Sequence, residues 1–245
     1  MEIFLLSIFG FGLGLVNSIS GGGGVFALPV FLAVGLSPAN ALALNLISDV
    51  GVLLGVINNY YRSKEINWKF AFKIFIFSFV GSIIGAKLIV SLPPDLVKNI
   101  IFIGIFIGMF FLLKPVKHRD EHDRLSWWKM ALGYFGLFLV GVWDGSIAIA
   151  GTTFALLIIA HMFGKSFIQG RIAYAAASTP GTFIAAAILY SESTISWQWP
   201  LIILVSNFVG AWVGSRMAIK HGDSLIKKCM VGISILIVIK LIFFP

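Results

Sequence analysis

Four consecutive glycines, Gly21 to Gly24, stand in the middle of an apolar stretch that runs from Ile3 to Val34. Glycine costs a helix about 1 kcal/mol per position relative to alanine, so a run of them breaks the helix there. At 32 residues the stretch is too long for one straight membrane span of about 20 and short for two. Hydrocarbon offers no partners to bare N–H and C=O groups, so such a break persists only where protein buries it or where it lines a polar cavity. The stretch reads either as a hairpin that enters, turns at the glycines and returns to its own side, or as two short tilted helices.

Only 11% of the 245 residues are charged and 59% are hydrophobic, against roughly 25% charged in a soluble domain. The chain is therefore a polytopic membrane protein, with the lipid bilayer as its surroundings. Its net charge of +8 comes from 18 Lys and Arg against 10 Asp and Glu. These basic residues lie mostly in the connections between apolar runs, the pattern of cytoplasmic loops and not of a nucleic-acid binder. The lone Cys229 excludes an internal disulfide, and no Cys/His spacing indicates a metal or cofactor site. Glu2, with no Lys or Arg before Arg62, is unlike the basic start of a cleaved signal peptide.

Beyond Gly35-Leu36-Ser37-Pro38, spans are expected at 39–61, 68–92 and 96–113, the last two separated by Pro93-Pro94-Asp95. The polar tract that follows forms a cytoplasmic linker at 115–128, in which His118 and His122 read as loop histidines and not as metal ligands. The rest of the chain restates the beginning at an offset of 129 residues. Gly35 falls on Gly164, Ser37 on Ser166, Trp68 on Trp197, Gly81 and Gly85 on Gly210 and Gly214, Lys87 on Arg216, and Lys98 on Lys227. The repeats are 1–114 and 129–245, the second comprising a hairpin at 129–163 and spans at 168–190, 197–219 and 225–244. Under the same shift the first hairpin, 3–34, has its glycines matched by Ala150-Gly151-Thr152-Thr153.

Loop charge orients the halves. Arg62, Lys64 and Lys69 flank the second connection of the first half, and Ser-Leu-Pro-Pro-Asp forms the third; in the second half Ser191-Glu192-Ser193-Thr194 carries no basic residue while Arg216, Lys220, Lys227 and Lys228 surround the next. Equivalent loops thus face opposite sides. The fold class expected is an all-α polytopic membrane protein of two inverted repeats, each a broken or re-entrant helical hairpin plus three transmembrane helices, with both termini outside.

These features resemble the sulfite exporter TauE/SafE family, on Gly12-x-Gly14, Ser20-Gly21-Gly22-Gly23-Gly24, Pro29, Gly35-x-x-Pro38-x-x-Ala41 and the Gly-x-x-x-Gly of each half. The resemblance covers nearly the whole chain. It implies a prokaryotic plasma-membrane transporter for small sulfur-containing anions such as sulfite, sulfoacetate or other organosulfonates, driven by an ion gradient. The second half departs from the family's glycine-rich apex.

Helix ends at the breaks also favour an anion. The N–H groups that open a returning half-helix lack intrahelical partners and carry the positive end of its dipole. Two such ends, brought together by inverted symmetry, make an anion site near the midplane. The candidate substrate-binding residues are Asn17, Ser18, Ser20, Gly21, Gly22, Gly23 and Gly24 at the first apex, and Asp144, Ser146, Thr152 and Thr153 at the second. Asn45, Arg171 and Tyr174 join them from the long spans. Asp49 and Asp144, ionisable groups inside apolar segments, are assigned to coupling or gating with a proton or sodium ion. Lys87 and Arg216 are assigned to snorkelling.

An anion channel and a transporter of a non-sulfur carboxylate are the alternative functions. An enzyme is not expected: the sequence holds no H-E-x-x-H and no G-x-S-x-G. Oligomeric state is left open.

Overall fold

Helix starts are well marked along this chain. Pro38 and Pro94 open their helices, where the missing N–H would be unsatisfied in any case. Ser37 Oγ accepts the Asn40 N–H at 3.3 Å, Asn67 Oδ1 accepts that of Phe70 at 3.1 Å, and Ser166 and Gln169 form a reciprocal capping box. The computed structural model describes residues 2–21, 23–63, 67–113 and 127–243. In order these form α1 (Glu2–Ser20), α2 (Gly24–Ala33), α3 (Pro38–Ser63), α4 (Trp68–Val90), α5 (Pro94–Leu113), α6 (Trp127–Ser146), α7 (Gly151–Phe163), α8 (Phe167–Ser191) and α9 (Gln198–Phe243). All but the end of the linker assigned to 115–128, including His118 and His122, lies outside the described residues.

Among the described residues four helices are long and apolar enough to cross a bilayer: Pro38–Tyr61, Trp68–Val90, Phe167–Ser191 and Gln198–His221. α2, of 10 residues, and α7, of 13, are about 15 and 20 Å long, well short of a hydrocarbon core of about 30 Å. α1 breaks at Gly21, whose φ of +76° is one that glycine adopts without strain. In the second half the break comes earlier than the glycine match implies, at 147–150, and Gly151 already opens α7. Here alanines take the left-handed conformation, Ala148 at φ +49° and Ala150 at φ +55°. Such residues persist where their surroundings over-determine them. Trp143 Nε1 donates to the Ile149 carbonyl at 2.7 Å, and Asn45 Nδ2 donates to the carbonyls of Ile147 and Ala148 at 3.2 and 3.4 Å.

One expectation is corrected at the far end. Separate spans at 197–219 and 225–244 are a single helix, Gln198–Phe243. Pro93-Pro94 stops α4 and starts α5, whereas the matching place is Gly222-Asp223, which has no proline to remove a donor or to clash with the preceding turn.

The halves exchange packing partners. α1 lies on α9 and α6 on α4; α3 also lies on α9, α8 on α4, and α3 meets α8 at the centre. Glycines let the backbones of these pairs approach. A methyl at Gly14 would meet the Asn207 carbonyl of α9, and one at Gly210 that of Phe11; methyls at Gly85 and Gly145 would meet the carbonyls of Val142 and Ser82. The most apolar window of α3 is 78% buried and that of α8 61%, against 39% for α4 and for the first part of α9. α3 and α8 are therefore the core helices. α4 shows the lipid-facing pattern: Phe72, Ile76, Val80, Ile84 and Leu88 point outward at four-residue spacing, and Ala71, Ser78, Ser82 and Gly85 point inward.

Candidate functional site

The two helix breaks meet. Gly21 packs against Thr152 at the start of α7, and Gly24 at the start of α2 against the Ala148 carbonyl. α3 and α8 pass beside this junction and supply Asp49, Arg171, Ser178 and Thr182, to which α1, α6 and α7 add Asn17, Asp144 and Thr152. The space between is a cavity of about 20 Å³, room for a water molecule but not for a sulfonate. Its walls are Asn17, Asp49, Asp144, Thr152, Arg171, Ser178 and Thr182, with Val52, Leu53 and Ala148.

Arg171 is the centre of the arrangement. It is 1% exposed, and its fork is fastened to the end of α1: Nε donates to the Ser18 carbonyl at 3.1 Å and Nη2 to that of Asn17 at 3.0 Å. These are among the last carbonyls of the helix, where its dipole is negative, so a cation is favoured there. Nη1 is buried and has no hydrogen-bond partner among the described residues; the same holds for Ser178 Oγ on the same wall. A buried donor left unmade is costly, so Nη1 and Ser178 Oγ are the unsatisfied polar atoms of this wall.

Asp49 and Asp144 face this cation, each with its own hydrogen-bond donor. Asn17 Nδ2 donates to Asp49 Oδ1 at 2.7 Å, and the Tyr174 hydroxyl donates to Asp144 Oδ2 at 2.6 Å. Asn17 Oδ1 in turn accepts the Gly23 N–H at 3.2 Å, so the amide links Asp49 to the start of α2. The other oxygen of Asp144 lies where a methyl on Gly151 would stand, at the positive end of α7. Each short helix thus has an acceptor of the protein's own against its N-terminus.

The remaining candidates serve the frame. Ser18 Oγ bonds back to Leu15 O and Ser146 Oγ to Trp143 O, both within their own helices. Asn45 is 1% exposed and clamps the second break from behind, away from the cavity lining. Thr153 is fully buried beside Thr152. Gly22 and the side chain of Ser20 lie outside the described residues. Thr182 is not among the candidates chosen from the sequence, although the stripe Arg171, Tyr174, Ser178, Thr182 on α8 has helical spacing and would have revealed it. Arg216, assigned to snorkelling, stacks 3.6 Å over the Trp212 ring and donates to Asn59 Oδ1 at 3.2 Å.

Long apolar helices around buried charge, with two half-length helices ending at a central polar cavity, define a multi-pass membrane protein of the transporter class. The sulfite exporter TauE/SafE family model matches residues 6–241, and the chain belongs to that family. Among its relatives is the probable membrane transporter protein YfcA of Escherichia coli (strain K12), 30% identical over 233 residues that make up 94% of this chain and 86% of the relative. The probable membrane transporter protein ORF9 of Sinorhizobium sp is 27% identical over 95% of this chain and 89% of its own. A probable membrane transporter protein of Haemophilus influenzae is 25% identical over 98% and 94%. No solved structure matches the chain. The names of the family and of these relatives describe transporters, not enzymes.

Proposed function

We propose that this protein is a secondary transporter of a small sulfur-containing anion, sulfite or an organosulfonate such as sulfoacetate, in a prokaryotic plasma membrane. The observation that carries the reading is the buried Arg171, clamped by two of its nitrogens with the third unpartnered at the cavity between the helix breaks. A guanidinium presents donors to a planar or tetrahedral oxyanion in a fixed geometry. The N-termini of α2 and α7 open beside this cavity, where Asn17 and Asp144 already stand against them, so the guanidinium is the group left to receive the anion. Alternating access by two inverted repeats, with α1–α2 and α6–α7 as re-entrant hairpins, is supported by the opposite loop charges and by the exchanged packing of α1 with α9 and α6 with α4. On that arrangement both termini are outside. Asp49 and Asp144 couple the anion to an ion gradient, because they are the carboxylates that face Arg171.

The test has two arms. Purified protein is titrated with sulfite, sulfoacetate, taurine and simple carboxylates, and saturable binding is expected for the sulfur anions. Reconstituted vesicles are then loaded with unlabelled sulfite and assayed for uptake of labelled sulfite against its gradient. Counterflow identifies a carrier. Downhill flux alone identifies a channel, and preference for carboxylates removes the sulfur reading.

A further inference from the structure

The charges around the cavity set a rule for what crosses with the anion. Among the described residues the ionisable groups that interact there are Asp49 from α3, Asp144 from α6, and Arg171 and Tyr174 from α8, with Tyr60 of α3 also within electrostatic reach of Arg171. α1 contributes the neutral Asn17 and Ser18, α7 contributes Thr152, and α2 has no ionisable residue. α4 meets α8 there through Phe79 and Ser82, and α9 meets α3 through Leu204, Asn207 and Phe208. The guanidinium keeps its proton in a protein. With both carboxyls ionised the cluster carries one net negative charge; with one proton it is neutral; with two it carries one net positive charge.

We propose that the carrier moves one singly charged anion together with one proton and no net charge, Asp49 and Asp144 holding one proton between them when the closed site is empty and two when it holds the anion. This rests on the transporter reading above. Uncompensated charge in a closed site inside a bilayer is costly, so the states that close are the neutral ones. The empty site is neutral with one proton, and its cavity of about 20 Å³ has no room for an anion. A monoanion restores neutrality only after a second proton is bound. The proton is taken up on the side where the anion enters and released with it on the other.

The count also selects substrate. A dianion leaves one negative charge even with both carboxyls protonated. Bisulfite and simple monosulfonates are therefore carried in preference to the doubly charged forms of sulfite and sulfoacetate. Either carboxylate alone balances Arg171, so coupling is lost only when both are removed. The cation then has no internal counter-charge, and the site closes only on an anion.

The experiment uses the full chain in sealed vesicles with labelled methanesulfonate, which bears one charge, and labelled sulfite. A gradient of one pH unit, acid outside, is expected to raise methanesulfonate about tenfold inside, the ratio for one proton per anion. Clamping the membrane potential is expected to change nothing, whereas movement of one net charge would shift the ratio about 50-fold per 100 mV. The double variant Asp49→Asn/Asp144→Asn is expected to lose accumulation and keep one-for-one exchange of internal for external anion, which also shows that it is folded. Accumulation that follows the potential, a requirement for sodium, or a double variant that still accumulates along the pH gradient overturns the proposal and leaves the transporter reading standing. If the wild type moves neither anion in either mode, the transporter reading falls and this inference with it.

Discussion

Replacing Arg171 with methionine keeps most of the side-chain length and removes the guanidinium from a position that is 1% exposed. The bonds to Asn17 O and Ser18 O are lost, each a hydrogen bond from a charged group worth about 1.5–3 kcal/mol. Asp49 and Asp144 also lose the cation they face, and removing one member of a buried charged set costs about 3–5 kcal/mol in all. These contributions overlap and are not summed; the larger sets the expectation. For a chain of this size each kcal/mol lowers the melting temperature by about 2–4 °C, so Arg171→Met is expected to melt about 6–20 °C below wild type. Tryptophan fluorescence during a thermal ramp in detergent measures it. The decisive comparison is the same substitution on an Asp49→Asn/Asp144→Asn background, where no carboxylate is left without its counter-charge and part of the loss is expected to return. A fall of less than about 2 °C, or equal falls on both backgrounds, would show that Arg171 is not the counter-charge of this site.

Gly151→Ala places a methyl on an oxygen of Asp144 and is expected to cut anion uptake at least about tenfold, equivalent to about 1.4 kcal/mol, while Gly12→Ala, which meets open space, leaves uptake unchanged; equal behaviour of the two would refute the assignment. Asn45→Ala removes the donor that holds the Ile147 and Ala148 carbonyls and is expected to cost about 1–3 kcal/mol, read as a lower melting temperature. In a Cys229→Ser background, Glu192→Cys is expected to react with an impermeant thiol reagent added outside intact cells; reaction only after permeabilisation would invert the topology.

The positions of the helix breaks were partly legible in the sequence. A glycine run announces a break because each glycine weakens the helix locally, and Gly21 takes the left-handed conformation that only such a residue adopts freely. The second break was misplaced by about a turn because it is built from Ala148 and Ala150, whose conformation is set by Trp143 and Asn45 from a distance. Propensity does not carry that information. Asp49, Asp144 and Arg171 stood out as ionisable groups in apolar runs, and all of them reach one cavity. That Asn17 and Asp144 would turn their oxygens onto the ends of α2 and α7 was not legible, since it depends on side-chain direction at a crossing of four helices.

The exchange of partners between the halves has a consequence for how the protein is made. α1 leaves the ribosome long before α9, the surface it rests on. Its small-residue face around Gly10 and Gly14 must wait in the bilayer, against lipid or an assembly factor, until α9 has been synthesised. α4 and α6 lie closer together in sequence than α1 and α9 do, and pack through Gly81, Gly85, Gly141 and Gly145. Assembly should therefore begin with α4 and α6 and end with the docking of α1 on α9. Nascent chains stalled before α9 would be the form most exposed to membrane proteases.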